Sequence, residues 1–368
     1  MALVVAIRHI ESLSVPFHWG VEVALFPFQY GLVGHNLFYV LSGFGLTFSM
    51  LRREASGRPI YLAEFLSARC GRLLPPYYAA MALYLIASWV VPRVPIVGAG
   101  DILAHAALLH SLWPETLSTI APSHWSMSVI FQFYLVFPVL YVLTGKLGRW
   151  LTITVTLVAW MCFLVALNVV TFGQHAVLGG FLFYRLPLFI GGMEVARWYY
   201  ASRQGSSSFI SVRSSVVIAA GLFGISFAWR LWGPANGSTL FSIPAYAGMV
   251  VVALASADRD GLIRRILVHP LLTWLGTLSY SLYLTHELAF IGIKEVFYWL
   301  APRSGLVADT VYILACLALA VVVSWFFYRL VELPLIKAFR PPSKKLALDK
   351  PVQVSERPSV TRDQPITA

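Results

Sequence analysis

Residues 306–330 read LVADTVYILACLALAVVVSWFFYRL, an almost unbroken run of apolar side chains. About 20 such residues in a helix cross the hydrocarbon core of a bilayer, so this run predicts a transmembrane helix. The whole chain has the same character, since 58% of its 368 residues are hydrophobic and 12% are charged. Soluble domains have about 25% charged residues. The composition excludes a disordered chain, a coiled coil and a secreted disulfide scaffold, and it disfavours an ordinary cytosolic enzyme.

About ten segments meet the length criterion for a spanning helix, and together they predict an all-α, polytopic membrane helix bundle. They lie near residues 4–25, 32–51, 73–92, 125–144, 151–171, 177–196, 215–232, 239–256, 270–292 and 306–330. The segment 101–124 is only half apolar, and it either re-enters the membrane or lies at its surface. We expect the bundle to occupy residues 1–340, followed by a polar, disordered tail over residues 341–368.

The positions of the basic residues predict the orientation of the bundle. Most of the 27 lysine and arginine residues follow the even-numbered segments or lie in the tail. Because such residues are retained on the cytoplasmic side, both termini are predicted to be cytoplasmic. The net charge of +11 therefore reflects orientation, and no nucleic-acid partner is expected. Arg8, Glu11 and Pro16 interrupt the first apolar segment, which predicts no cleavable signal peptide.

The cysteines and the familiar catalytic motifs contribute little. Cys70, Cys162 and Cys316 are odd in number and widely spaced, which argues against a disulfide framework or a zinc site. The chain has no GxSxG, Walker A, GxGxxG or HExxH pattern, so no metal ligand is predicted.

Ionisable residues are costly inside a bilayer, and the first predicted span has the densest set, Arg8, His9, Glu11, His18 and Glu22. His18 and Glu22 are four positions apart and can touch on a regular helix. Glu11 shares a face with His18 but lies about 10 Å away along the axis. Two interpretations stay open: His18 is a general base assisted by an acid, or it hydrogen-bonds a neighbouring helix without chemistry.

A second basic group, Arg69 and Arg72, is placed at the cytoplasmic start of the predicted third span. The three-residue spacing turns both guanidinium groups to one side of a helix. Such a pair suits a phosphate-rich ligand, because the guanidinium fork matches phosphate geometry. The alternative is that both residues serve only orientation and lipid headgroups.

Other polar residues are interpreted as structural. His105 and His110 are five positions apart and do not share a helix face well. His124 lies near a predicted span end and has the same interpretation. Arg185 and Glu194 lie inside the sixth predicted span, and we expect each to pair with another helix.

Seven sequence elements, in this order, resemble those of one known family. They are the segment from Arg8 to His18, GHNLFYVLSGF at 34–44, RCGRLLPPYY at 69–78, WSMSVIFQFYLVFP at 125–138, YRLP at 184–187 with GM at 192–193, LGTLSYSLYLTH at 275–286 and ELP at 332–334. The chain thus resembles the acyltransferase family 3 membrane proteins, which include bacterial O-acyltransferases of O-antigens, exopolysaccharides and macrolides. The resemblance implies a multi-pass protein of the bacterial inner membrane.

The resemblance also implies a reaction. Family members transfer an acyl group, commonly acetyl, from cytoplasmic acyl-CoA to a hydroxyl of a glycan or another acceptor. By position, His18 would be the base, Arg8 would orient the site or stabilise charge, and Arg69 with Arg72 would meet the CoA phosphates. The side chains expected to line the site are Ser42, Trp125, Ser126, Tyr134, Tyr283 and His286, of which the first four are candidate donors to the oxyanion. Acetyl-CoA or another acyl-CoA is then a co-substrate, and no permanently bound cofactor is expected.

The chain departs from the family pattern in three places. Ile130 and Phe131 stand where acidic residues are usual, His35 and Asn36 stand where Val and Asp are usual, and Arg8 is one position closer to His18. Glu11 or Glu22 is a hypothetical substitute for the missing acid. Because of these departures, a non-catalytic relative remains an alternative. A transporter or flippase, which would use the charges inside the spans as a pathway, is a further alternative. The acceptor, the acyl chain and the oligomeric state stay open.

Overall fold

The computed structural model describes residues 32–57, 61–91, 94–171, 180–205, 248–254, 261–300 and 306–339, with positions 6, 10, 214, 217, 220 and 221. Over these residues the ordered elements are helical and there are no strands, so the predicted all-α class is confirmed. In chain order they are α1 (Leu32–Ala55), α2 (Leu62–Val90), α3 (Ala99–Ala106), a 3₁₀ turn (His110–Leu112), α4 (Trp125–Leu147), α5 (Arg149–Thr171), α6 (Leu182–Arg203), α7 (Leu262–Leu267), α8 (Pro270–Leu300), α9 (Leu306–Phe327), a π turn (Tyr328–Glu332) and α10 (Leu333–Ala338). The tail over 341–368 and most of the spans predicted at 4–25, 215–232 and 239–256 lie outside the described residues.

Three helices in the described part of the chain are long and apolar enough to cross a membrane. They are α2, α4 and the continuous helix Leu306–Ala338, which comprises α9, the π turn and α10. Large apolar side chains stay exposed on them, such as Leu135, Val139 and Val142 of α4. Water does not favour a face of this kind, whereas lipid does. The total of about ten spans stays a prediction.

Helix α2 begins at Leu62, well before the predicted start at residue 73. Phe65 is already buried in its first turn, and Glu64 forms a 2.5 Å ion pair with Arg53 of α1. These contacts extend the helix beyond the length that the bilayer requires. Arg69 and Arg72 therefore lie inside the helix. Their place at the cytoplasmic start of a membrane span stays a prediction.

The backbones of α1 and α6 come into direct contact at two glycines. A Cβ atom on Gly192 would lie 1.9 Å from the carbonyl oxygen of Val40, and one on Gly43 would lie 2.0 Å from that of Phe189. Small residues allow this approach in membrane bundles, where close packing and polar contacts hold helices together. The two glycines thus fix the separation of the helices that form the candidate site.

Contacts at the two ends of α1 show which way the neighbouring helices run. Asn36 meets Arg185 near the beginning of α1 and α6, and Phe48 meets Tyr199 further along both helices, with ring centroids 5.7 Å apart. The two helices are therefore parallel. This agrees with the alternation predicted from the charges, in which they are the second and sixth spans and cross in the same direction.

The segment 101–124 is folded against the bundle through hydrogen bonds to three helices. The Tyr77 hydroxyl of α2 donates to the carbonyl of His105 at 3.1 Å, and Ser128 of α4 donates to the carbonyl of Leu108 at 2.5 Å. His124 contacts the carbonyl of Leu284 in α8 at 3.2 Å. These bonds bring the buried polar residues of the segment next to the helices that line the candidate site.

Candidate active site

Polar and aromatic residues that are buried or partly buried gather where the first turns of α1, α4 and α6 meet α8. This polar cluster consists of His35, Asn36, Trp125, Ser126, Arg185 and Tyr283. Only 4% of the Arg185 surface and 3% of the Asn36 surface are exposed. Arg185 Nη1 donates to Asn36 Oδ1 at 3.0 Å, which ties α6 to α1. The prediction that Arg185 pairs with another helix is confirmed.

Three aromatic rings surround the guanidinium of Arg185. Its Cζ atom lies 4.9 Å from the ring centroid of Tyr184, 5.5 Å from that of Trp125 and 5.9 Å from that of Tyr39. Each ring presents a negative face to the cation, and such contacts reach about 2 kcal/mol when they are desolvated. The rings and the Asn36 amide together fix the plane of the guanidinium.

The opposite side of the cluster is a chain of contacts through His35 and Tyr283. The ring of His35 stacks on Trp125 at 5.3 Å and meets the edge of Tyr283 at 6.1 Å. The Tyr283 hydroxyl donates to the carbonyl of Ser123 and lies 2.6 Å from Ser126 Oγ. Because a phenol has a single proton, Ser126 donates to the Tyr283 oxygen.

Gln132 of α4 fixes the start of α6 and thereby the position of Arg185. Its Oε1 accepts the backbone N–H of Leu182 at 3.2 Å, and its Nε2 donates to Ser128 at 3.1 Å and to Ser111 at 3.2 Å. Ser111 in turn donates to the carbonyl of Gly180 at 2.7 Å. Arg185 follows Leu182 by about one helical turn, so this network sets where its side chain enters the bundle.

Arg69 and Arg72 form a second polar group, the arginine pair, on α2. Arg69 is half-buried over the ring of Phe65, with its Cζ 5.7 Å from the centroid, and Arg72 is exposed. Both charges act on the hydroxyl of Tyr134, as expected if the two side chains lie on one side of the helix. Arg72 also acts electrostatically on Glu332, whose carboxylate accepts a hydrogen bond from Ser281.

The polar cluster and the arginine pair lie at two levels of the bundle and are connected by α4 and α8. Ser126 of the cluster and Tyr134 near the pair are separated by about 12 Å along α4. On α8, the Tyr280 hydroxyl donates to the carbonyl of Leu73 at 2.6 Å, close to Arg72 in sequence. Tyr283 follows Tyr280 by about one turn. Helices α4 and α8 thus each contribute side chains to both levels.

The histidines of the connecting segment form a separate histidine cluster of His105, His110 and His124. His105 and His110 stack with ring centroids 3.9 Å apart and an interplanar angle of 5°. Leu108, with a φ of +57°, turns the chain back after α3, so residues that do not share a helix face still meet. Among the described residues, no group of three or more potential ligands is arranged to hold a metal ion.

Burial keeps the histidine cluster neutral. It lowers the pKa of His110 and of His124 to about 3, from an ordinary value of 6.5, and neighbouring histidines add to the effect. The pKa of His105 is lowered by burial as well. The rings that pack against His124 belong to Tyr77 and Tyr84. Neither side chain carries a positive charge, so the lowered pKa of His124 is due to burial and the other histidines.

This protonation state predicts a loss of stability in acid. The unfolded chain binds protons on these histidines below pH 6.5 while the folded chain does not, so stability is present above pH 6.5 and falls as the pH decreases towards 3. Over this range, each of His110 and His124 lowers the free energy of unfolding by about 1.4 kcal/mol for every unit by which the pH falls. We expect the melting temperature in detergent to fall between pH 7 and pH 5, and His110→Gln to reduce that slope. The exposed His269→Gln variant is the control, and equal slopes in all three proteins would contradict the prediction.

The structure brings together some of the residues expected to line the site and separates others. Trp125, Ser126 and Tyr283 meet in the polar cluster, and buried His286 lies beside Tyr283 with ring centroids 6.3 Å apart. Ser42 donates to the carbonyl of Phe38 in its own helix at 2.9 Å. Tyr134 lies near the arginine pair. The four predicted residues of the first span, Arg8, Glu11, His18 and Glu22, lie outside the described residues.

Sequence reasoning placed two other residues differently. Glu194 was expected to pair with another helix, but it accepts a 2.5 Å bond from Arg197 of its own helix, because the two residues are one turn apart. Asn36 was noted only as a departure from a family pattern. The signal that could have identified Asn36 as a site residue was its polar side chain within an apolar run. Its partner Arg185 lies too far away in the sequence to be inferred from a local pattern.

Comparison with known proteins assigns the chain to a family. The family model Acyl_transf_3, described as an acyltransferase domain, matches residues 1–329. The chain belongs to this acyltransferase family. The resemblance found in the sequence elements is therefore confirmed, and the apolar helices accord with a membrane protein.

Two relatives illustrate how far the similarity to known proteins extends. The O-acetyltransferase OatA of Staphylococcus aureus is 24% identical over 329 residues, which cover 83% of this chain and 53% of the relative. The acyltransferase MdmB of Streptomyces mycarofaciens is 25% identical over 338 residues, which cover 83% of this chain and 81% of the relative. The chain thus spans about half the length of OatA. No solved structure matches the chain.

Proposed function

We propose that the protein is an integral membrane O-acyltransferase that transfers an acyl group, in the first instance acetyl, from cytoplasmic acyl-CoA to a hydroxyl of a surface or exported glycan. The acceptor oxygen bonds to the thioester carbonyl carbon, its proton passes to His18, and the carbonyl π electrons form an oxyanion. The oxyanion collapses as the C–S bond breaks, and the CoA thiolate leaves and takes up the proton. His18 thus acts as a general base when it accepts the proton of the acceptor hydroxyl.

The observation that carries the proposal is the arginine pair on α2. Arg69 is half-buried, and Arg72 is exposed. The pair therefore offers one guanidinium held against the helix bundle and one that is open to solvent. Arginine is suited to phosphate because its planar fork gives paired hydrogen bonds. With the CoA phosphates held there, the pantetheine arm would extend along α4 and α8 and present the thioester to the polar cluster.

The membrane placement belongs to the same proposal. We place the chain as a multi-pass protein in the bacterial inner membrane with both termini in the cytoplasm. The basic residues near the helix ends then face the cytoplasm, where acyl-CoA is available. In this orientation the first turns of α1, α4 and α6 lie towards the outer side, where an exported glycan is accessible.

Removing the arginine pair should weaken the interaction with acyl-CoA. We expect Arg69→Ala and Arg72→Ala each to raise the KM for acetyl-CoA by about tenfold, since one charge-assisted phosphate contact is lost. The turnover number should change less, because neither residue touches the reacting carbonyl. Arg149→Ala, which removes an exposed arginine at the start of α5, is the matched control. A KM equal to that of the unaltered protein in both variants would contradict this role.

The function itself can be tested before the acceptor is identified. The gene is deleted in its host, and the surface glycans are analysed by mass spectrometry. We expect the glycan to lose one acetyl group per modified sugar and to regain it when the unaltered gene is restored. The purified protein in detergent should then transfer labelled acetyl from acetyl-CoA to glycan isolated from the deletion strain.

The alternatives give different results in the same experiments. A non-catalytic relative would restore the glycan in cells only with a partner and would not turn over acetyl-CoA when purified. A transporter or flippase would change where the glycan is found without transferring acetyl from acetyl-CoA. An unchanged glycan after deletion would overturn the proposed acceptor class.

A further inference from the structure

We propose that the ring of Phe339 stacks on the adenine of acyl-CoA while the arginine pair holds the phosphates of the same molecule. The inference rests on the proposed function, and it deepens that function by adding an adenine site to the binding of the co-substrate. Phe339 directly follows α10, the last helix in the described part of the chain. The adenine and the thioester are at opposite ends of acyl-CoA, so Phe339 binds the co-substrate and touches no reacting atom.

The first argument is that the end of α10 lies against α2 at the arginine pair. Gly71 stands between Arg69 and Arg72 in the sequence. A Cβ atom on Gly71 would lie 2.7 Å from the carbonyl oxygen of Phe339 and 3.6 Å from the Cβ atom of Phe339. Glycine permits this close approach because it has no side chain. Phe339 therefore contacts the same turn of α2 that carries the two guanidinium groups.

The second argument is the exposure of Phe339 compared with that of Glu332 on the same continuous helix. Arg72 acts electrostatically on Glu332, so this residue also faces α2. Residues seven positions apart lie on nearly the same side of a helix, and Phe339 is seven positions after Glu332. Only 4% of the Glu332 surface is exposed, whereas 56% of the Phe339 surface is exposed. Phe339 thus has its backbone at the arginine pair and more than half of its surface open to a ligand.

The third argument is the chemistry of the co-substrate. In acyl-CoA the adenine and the phosphates are attached to one ribose, so a site that holds the phosphates brings the base within the length of a sugar. Every base has an aromatic face that can stack on an exposed ring, and removing such a ring weakens binding by about 5- to 150-fold. An aromatic ring beside a pair of phosphate-binding arginines therefore matches the nucleotide end of acyl-CoA.

An exposed aromatic ring at a helix end has a competing use as an anchor at the membrane surface. Trp and Tyr are the usual residues for that purpose, because each combines an apolar ring with a polar group. Phe339 has an apolar ring alone, and its backbone lies against the arginine pair. These two features favour the adenine site, and substitutions that separate aromatic from merely apolar character distinguish the two uses.

Phe339→Leu is the decisive variant, because it keeps an apolar side chain and removes the aromatic face. The purified full chain is assayed with glycan from the deletion strain and two donors, acetyl-CoA and S-acetyl-4′-phosphopantetheine, which has the thioester but no adenosine. We expect the KM for acetyl-CoA to rise about tenfold at unchanged turnover, and kcat/KM for the truncated donor to stay the same. Phe339→Trp should keep the KM for acetyl-CoA within about threefold, since it retains a stacking face.

Phe326→Leu is the matched control, since it removes another exposed phenylalanine ring, which belongs to α9 within the same continuous helix. It should leave the KM for both donors unchanged. An unchanged KM for acetyl-CoA in Phe339→Leu would mean that apolar character suffices, as for a membrane anchor. An equal loss with both donors would mean that the ring acts by packing against α2. Either result would overturn the adenine site.

A binding measurement separates this inference from the function on which it rests. Adenosine 3′,5′-bisphosphate and inorganic pyrophosphate are titrated calorimetrically into the purified full chain. We expect Phe339→Leu to weaken binding of the adenosine compound about tenfold and to leave binding of pyrophosphate unchanged.

The combined outcomes decide each claim by itself. If the unaltered chain shows this binding pattern but transfers no acetyl, the proposed function is overturned and the adenine site stands. If the unaltered chain transfers acetyl but binds the adenosine compound as tightly with Leu as with Phe at residue 339, the adenine site alone is overturned. Absence of any binding of the adenosine compound to the unaltered chain would also overturn the adenine site.

Discussion

Gly192→Ala is expected to prevent α1 and α6 from packing and to leave little folded protein in detergent. The added Cβ atom would lie 1.9 Å from the carbonyl oxygen of Val40 and 2.9 Å from the amide nitrogen of Phe44. Both neighbours are backbone atoms of a helix, which cannot rotate away as a side chain can. Overpacking costs about 1–3 kcal/mol when side chains adjust, and we expect this site to reach or exceed the upper limit.

The measurement is the yield of monodisperse protein by size-exclusion chromatography, followed by its melting temperature. Gly45→Ala on α1 is the matched control, because nothing lies within 4 Å of a Cβ atom at that position. Alanine favours a helix over glycine by about 1 kcal/mol, so this control should melt at the same temperature as the unaltered protein or higher. A Gly192→Ala protein that melts like the control would contradict the observed helix separation.

The same substitution bears on the candidate site. Gly192 lies about two turns beyond Arg185 on the same side of α6, and Gly43 has the same relation to Asn36 on α1. Forcing the helices apart at the glycines therefore lengthens the 3.0 Å bond between Arg185 and Asn36. Any residual folded Gly192→Ala protein should accordingly turn over more slowly than the unaltered enzyme.

Apolar run lengths predicted the existence and type of most described helices because a bilayer imposes a minimum length on each span. They did not predict where α2 begins. A helix continues as long as packing and ion pairs support it, and the contacts of Phe65 and Glu64 extend α2 past the hydrocarbon core. Boundaries of this kind depend on tertiary contacts, which hydropathy does not contain.

The candidate site was predictable only in part. The sequence elements around Trp125 and Tyr283 indicated site-lining residues, and these two are brought into one cluster. The Arg185–Asn36 bond joins residues far apart in the chain, so no local pattern reveals it. The stacking of His105 on His110 depends on the left-handed backbone of Leu108, a conformation that leucine rarely adopts.

Replacing His18 should have the largest effect on chemistry. A hydroxyl attacks a thioester poorly while it keeps its proton, and a positioned base contributes about 10²–10⁴-fold to the rate. We expect His18→Ala to lower turnover by that factor while the KM for acetyl-CoA changes little, since the arginine pair is intact. The measurement is transfer of labelled acetyl from acetyl-CoA to glycan from the deletion strain, per mole of folded protein.

His9→Ala is the matched control, because it removes a histidine of the same predicted span to which no role is assigned. Glu11→Gln and Glu22→Gln then ask which acid supports the base, and at least one of them should lower turnover. If both retain full turnover, neither acid substitutes for the family's usual one. If His18→Ala itself stays within about tenfold of the unaltered enzyme, proton removal at that position is not the source of the rate, because a positioned base is worth more. The imidazole of His35, stacked on Trp125 in the polar cluster, would then be the next residue to replace.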